Sequence, residues 1–143
     1  MTDKVILFGS PTCPMVPPVR DILDRAEVDY EYVDIYLNLS ARERVLAINN
    51  GNASVPTLSF PDGSTLTEPS SAILTAKLEA IGYVVRAPTL FDRLRVIFEY
   101  PLIFILGLLM LAFGIYNGDL TQIILGAVII IVRILLLLNR KLR

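Results

Sequence analysis

The chain has 143 residues, with 13 Lys/Arg, 14 Asp/Glu, one cysteine and no histidine. That length points to one domain of ordinary size; a single cysteine excludes an intramolecular disulfide and a multi-cysteine zinc site, and the missing histidine excludes Cys-His and Ser-His catalysis. Residues 1–85 hold six Lys/Arg against eleven Asp/Glu, a net of −5, while 86–143 hold seven against three, a net of +4, so the acidic part lacks the basic patch that nucleic-acid binding requires.

Lys4–Phe8 is a short apolar run ended by Gly9-Ser10-Pro11, the pattern of a buried parallel strand. It is too short for the apolar core of a secretion signal, so the soluble part is expected in the cytoplasm. Pro18–Ala26 predicts a helix with Val19, Ile22, Leu23 and Ala26 on one face. Tyr30–Ile35 predicts a second strand, with Tyr30, Tyr32 and Tyr36 read as strand packing. Ser40 is expected to cap a helix through Val45, Leu46 and Ile48, stopped by Asn49-Asn50-Gly51. Thr57–Phe60 and Ser64–Thr67 predict two strands joined at Pro61-Asp62-Gly63. Ser70 is expected to cap a last helix to about Ile81, with Gly82 just past its end. The order β-α-β-α-β-β-α implies an α/β domain: a four-stranded mixed sheet with helices on both faces. On the first of those helices' successors, Arg42, Glu43 and Arg44 form a cluster that suits a solvated helix face or a site for a ligand carboxylate.

The remainder reads differently. Between Tyr100 and Leu138 the only charges are Asp119 and Arg133. Residues 100–116 and 120–138 are two apolar runs separated by Asn117-Gly118-Asp119, a turn signal. Each run is about the ~20 residues that cross a bilayer core as a helix, which predicts a transmembrane helical hairpin. A soluble hairpin would carry a polar stripe, and neither run has one. Arg93 and Arg95 precede the hairpin, and Arg140, Lys141 and Arg143 follow it. The positive-inside rule then puts both termini in the cytoplasm. Arg133 is expected to snorkel toward that interface. Gly107, Gly114, Gly118 and Gly126 offer close helix approach and, with it, a route to homo-oligomers. Residues 86–99 form a linker whose apolar Leu90, Phe91, Leu94, Ile97 and Phe98 suit an amphipathic helix at the membrane surface, or an extension of the first membrane helix. Residues 139–143 read as a basic cytoplasmic tail.

The cysteine is Cys13, in Ser10-Pro11-Thr12-Cys13-Pro14-Met15-Val16, between the first strand and the first helix. In α/β folds ligands bind at the carboxyl ends of strands, and the N–H groups of a helix start favour thiolate over thiol. Val55-Pro56 enters a later strand; a cis bond there would leave the backbone N–H and C=O of Val55 free to pair with an extended ligand. Thr12-Cys13-Pro14, Val55-Pro56-Thr57 and Asp62-Gly63…Glu68-Pro69-Ser70, in this element order, resemble the glutaredoxins over roughly residues 3–83, and among them the bacterial glutaredoxin-like proteins and mycoredoxins.

The resemblance implies a thioredoxin-like fold. It implies a nucleophilic Cys13 that attacks mixed disulfides between proteins and glutathione or another low-molecular-weight thiol, with no metal. Thr12, Pro14, Met15, Val55, Pro56, Ser70 and Ser71 would contact that thiol, the two serines through the amino terminus of the last helix. The sequence also departs from the family. Val16 stands in place of a second cysteine, leaving only monothiol exchange. Ser10 replaces a basic residue, and Met15 replaces an aromatic one. Pro17-Pro18 is expected to delay the regular helix to near those residues, moving its dipole away from Cys13. The Gly-Phe-Ser pattern of iron–sulfur-carrying glutaredoxins is missing.

These readings give a membrane-tethered monothiol oxidoreductase acting on protein disulfide clients near the bilayer. Two alternatives stand beside it. One is a redox-inactive adaptor module, and the other is a redox sensor based on Cys13.

Overall fold

The computed structural model describes residues 4–141. Leu142 and Arg143 of the expected basic tail lie outside the described residues. The chain divides into two compact units, Met1–Pro88 and Thr89–Arg143.

The first unit runs β1 (Val5–Gly9), α1 (Val16–Arg25), β2 (Tyr30–Asp34), α2 (Leu39–Ile48), β3 (Thr57–Ser59), β4 (Thr65–Thr67) and α3 (Ser71–Ala80). The sheet order is β2-β1-β3-β4. β1 and β2 are parallel, with Val5 opposite Tyr30 and Gly9 opposite Asp34. β1–β3 and β3–β4 are antiparallel. This is the four-stranded mixed sheet of a thioredoxin-like α/β fold. All five residues of β1 are buried, because helices cover both faces of the central strand. Side chains alternate along a strand, so Val5 and Leu7 join α1 and α3 through Val19, Ile22, Leu23, Leu74 and Leu78. Ile6 and Phe8 face the other way, onto Ala41 and Val45 of α2.

Two starts differ from the sequence reading. α2 is capped by Asn38, not Ser40. Asn38 is extended, and its Oδ1 accepts from the Ala41 N–H at 3.0 Å, which leaves Ser40 inside the first turn. α1 begins at Val16, one residue before the two prolines. β2 ends at Asp34, so Tyr36 lies beyond the strand and is exposed rather than packed in it.

The second unit holds α4 (Leu90–Glu99), α5 (Pro101–Asn117) and α6 (Leu120–Lys141). Thr89 and Asp92 close a reciprocal capping box at the start of α4. Tyr100 is extended (φ −65°, ψ 130°), as a residue before proline prefers, and α4 and α5 meet there at a 76° bend. The linker is therefore no straight extension of α5. Gly118 takes the left-handed conformation that ends α5 (φ 70°), and Asp119 Oδ1 accepts from the N–H groups of Thr121 (2.9 Å) and Gln122 (3.3 Å) to open α6. The hairpin is tight: a Cβ on Gly126 would lie 2.6 Å from Leu111 N and 2.8 Å from Gly107 O. Among the described residues no single helix is long and apolar enough to cross a membrane. α4 and α5 reach that length only together, across their bend, and the apolar part of α6 spans Leu120–Leu136. Arg133 does not simply reach outward along its own helix. Its Nη1 donates to the carbonyls of Phe98 (3.1 Å) and Tyr100 (2.5 Å).

Candidate thiol site

The loop from Ser10 to Met15 leaves the buried end of β1 and is tied from inside. Ser10 is 3% exposed. Its Oγ accepts from the Thr12 N–H at 3.3 Å and lies 2.9 Å from Thr12 Oγ1. The Cys13 N–H donates to Ser10 O at 3.1 Å, and Cys13 O accepts from the Val16 N–H at 3.3 Å. Cys13 is thus held at both backbone groups and is half-buried. Thr12, Pro14 and Met15 around it are exposed.

Across the site, Val55-Pro56 is cis. The Cys13 thiol donates to Val55 O at 3.3 Å. The two motifs, 42 residues apart in the chain, therefore meet. The turn that carries Val55 is fixed from below. Thr57 is fully buried; its Oγ1 donates to Ser54 O (2.8 Å) and accepts from Asn49 Nδ2 (3.0 Å). Asn49 Oδ1 in turn accepts from Thr67 Oγ1 at 2.5 Å. Asn49 thus rivets the end of α2 to β3 and β4, a role its place in a helix-stop signal did not reveal. The Glu68 N–H donates to Pro56 O at 2.8 Å, which brings the start of α3 toward the cis peptide. Ser70 caps that helix through the Ile73 N–H (3.3 Å), and both Ser70 and Ser71 are exposed.

The start of α1 is poor in donors. A helix leaves its first N–H groups without intrahelical partners, and those groups make an anion site. Here the Val16 N–H is used by Cys13 O, and Pro17 and Pro18 have none.

Tyr32 packs on its strand as the sequence reading has it, but its place beside the Cys13 loop was not foreseen. It sits on β2 opposite Leu7, two residues short of the strand end, yet its ring takes the space where a side chain on Gly9 would lie. A Cβ there would be 2.7 Å from Tyr32 Cε2 and 3.1 Å from Val16 Cγ2. The Arg20 guanidinium stacks 3.7 Å over the ring. Burial pushes the Tyr32 phenol up; Arg20 opposes the shift, and Asp34 and Cys13 add to it. Glycine at position 9 was the available signal, but it reads equally as a strand end. Of the Arg42, Glu43 and Arg44 cluster, Arg44 reaches the sheet, donating to Ser59 Oγ at 3.4 Å. All three are exposed. Among the described residues no group of three His, Cys, Asp or Glu is arranged to hold a metal ion.

The glutaredoxin family profile matches residues 5–63. A protein of Mycobacterium tuberculosis strain H37Rv that bears a provisional glutaredoxin name is 37% identical over 81 residues, covering 57% of this chain and 96% of that protein. The chain belongs to the glutaredoxin family. Mycoredoxin 1 of Corynebacterium glutamicum is 34% identical over 78 residues, covering 54% of this chain and 96% of its own length. Among solved structures, glutathione transferase Omega 3C from Trametes versicolor is 21% identical with a TM-score of 0.46, covering 65% of this chain. The chain spans only 42% of that transferase. At family level, then, this glutaredoxin is a thiol oxidoreductase, and use of a low-molecular-weight thiol fits the family.

Proposed function

We propose that this glutaredoxin is a membrane-anchored monothiol oxidoreductase that reduces protein mixed disulfides near the bilayer. The contact of Cys13 Sγ with Val55 O beside a cis peptide carries the reading. The Cys13 thiolate attacks the low-molecular-weight thiol's sulfur in a protein–S–S–R disulfide. The protein leaves as its thiolate, and Cys13–S–S–R remains. A second R–SH, as thiolate, attacks that bond, releases R–S–S–R and restores Cys13. Cys13 is the only cysteine of the chain, and the place of a second one is taken by Val16, 3% exposed. Resolution therefore comes from outside. Val55 offers its backbone to the ligand, Thr12, Pro14 and Met15 form the near rim, and Ser70 and Ser71 the far one. Glutathione and its bacterial counterparts are the cofactors to try. Turnover of a glutathionylated protein by the full chain is expected to vanish in Cys13→Ser. Equal turnover in the variant would refute the reading.

The anchor rests on α5 and α6. Large apolar residues are exposed along both, among them Leu102, Leu109, Phe113, Ile124, Val128 and Leu135, while the glycines press the helices together. Lipid is the solvent such a surface suits. The flanking arginines favour a thiol unit and both termini on the cytoplasmic side, and the reading includes clients at the membrane and self-association through the hairpin. Resistance to alkaline carbonate extraction, with protease access to the thiol unit only from the cytoplasmic face, tests this. Release by carbonate would refute it.

The donor-poor start of α1 favours a second reading, a binding module whose Cys13 exchanges slowly. In that case Cys13→Ser retains partner binding while the wild type turns over only slowly.

A further inference from the structure

α4 has its faces reversed. Leu90, Phe91, Leu94 and Ile97 share one side of the helix and are 73%, 60%, 45% and 47% exposed. Three of its four charged residues are sheltered, and the fourth, Arg93, is exposed at the edge of the apolar side. Asp92 is 3% exposed and committed to the capping box. The side chains of Arg95 and Glu99 are 15% and 11% exposed and paired at 3.7 Å. A helix in water buries the opposite set. The arrangement is favourable where the medium outside is apolar.

The end of α4 is also closed in an unusual way. The last carbonyls of a helix lack intrahelical donors, and Pro101 has no N–H to offer. Arg133, from α6, donates to Phe98 O in that gap and also to Tyr100 O, which already accepts from the Ile103 N–H at 3.1 Å. Its guanidinium lies 5.4 Å from the centre of the Phe104 ring. One side chain thus joins α4, the elbow and both arms of the hairpin. The elbow bends by 76°. If α5 runs across a bilayer, α4 lies close to the bilayer plane.

We propose that α4 is a bilayer-interface helix, with its Leu90, Phe91, Leu94 and Ile97 stripe seated in the headgroup–acyl boundary of one leaflet and Arg133 as the clamp that sets its angle to the hairpin. This rests on the membrane reading above. The occupant is lipid because the stripe is continuous in kind with the apolar exterior of α5 and α6, and because an interfacial helix buries an apolar face only ~5–10 Å deep, the depth a helix lying in the plane reaches.

The chain contains no tryptophan, so one introduced indole is the only indole reporter. Phe91→Trp and, separately, Leu109→Trp are made in the full chain and reconstituted into phosphatidylcholine–phosphatidylglycerol vesicles. Some of the lipids carry bromine near the headgroup and others near the chain ends. Residue 91 is expected to be quenched most by the shallow bromines, and residue 109 by the deep ones. Quenching at 109 but none at 91 overturns the proposal and leaves the anchor standing. It would mean that water, a second copy or another protein covers α4. No quenching at either position refutes the anchor itself. With Arg133→Leu added, the residue 91 reporter is expected to lose its shallow preference while residue 109 stays deep, and Arg133→Lys is expected to retain part of it. An unchanged residue 91 profile in Arg133→Leu overturns the clamp.

Discussion

Gly9→Ala tests whether Tyr32 supports the Cys13 loop. The backbone at Gly9 is ordinary strand, so alanine meets no conformational penalty and, through the unfolded chain, gains about 0.4–1 kcal/mol. Against that stands the added Cβ, 2.7 Å from Tyr32 Cε2. The ring cannot simply swing away, because Arg20 is stacked on its face. Overpacking of this kind costs about 1–3 kcal/mol, so a net loss of about 1 kcal/mol is expected. With a urea slope of about 1–3 kcal/mol per M, the midpoint of the thiol unit falls by roughly 0.3–1 M, measured by pulse proteolysis of the full chain in detergent. The decisive arm is the same substitution in a Tyr32→Leu background. There the clash is gone and the entropic term remains, so Gly9→Ala is expected to be neutral or slightly stabilising. A loss of equal size in both backgrounds would refute the argument and place the cost at Val16 instead.

Asn49→Ala removes the donor to Thr57 Oγ1 and the acceptor for Thr67 Oγ1. It is expected to cost about 1–3 kcal/mol and to slow exchange by loosening the Val55 turn; thermal unfolding and turnover of a mixed disulfide read the two effects. Lys77 Nζ (2.7 Å) and both donors of Ser64 (2.6 and 2.9 Å) hold the Asp62 carboxyl well below the usual carboxylate range. A depressed folded value stabilises above the unfolded value, near ~3.9, and is lost as pH falls through the folded one. The stability gap between wild type and Asp62→Asn should therefore be flat from about pH 5 upward and shrink below about pH 4; a gap that grows in acid would contradict this. Gly126→Leu would drive a side chain into backbone atoms of α5, so the hairpin is expected to open and change its mobility on SDS gels. Unchanged mobility would mean that the close approach is dispensable.

What was legible in the sequence was local. The alternation of Val5, Ile6, Leu7 and Phe8, the turn residues and the Val-Pro pair each act over a few residues, and the family motifs ride on them. Helix starts were harder. Asn38 and Ser40 both suit a cap, and only the extended backbone at Asn38 decides between them. The α1 start moved to Val16 because the turn after Cys13 closes on the Val16 N–H, which Pro17 could not supply. The place of Tyr32 depends on strand register and on the gap at Gly9, neither of which is written near it. Arg133 read as a residue reaching for an interface, but the carbonyls it bonds were not legible, because they lie 33 and 35 residues earlier. The inside-out α4 is periodic in the sequence, but periodicity alone does not say which face turns outward.

The bond from Cys13 to Val55 O carries one more consequence. The sulfur can donate only while it holds a hydrogen. In the exchange proposed above, joining Cys13 to another sulfur removes that hydrogen, and Val55 O is freed for the ligand backbone which that proposal seats beside it. When the disulfide is cleaved and the sulfur takes up a proton, the thiol can reclaim the carbonyl and compete with the departing ligand for it. On the proposed reading the cysteine thus loosens its own product, so that loading favours retention and unloading favours release.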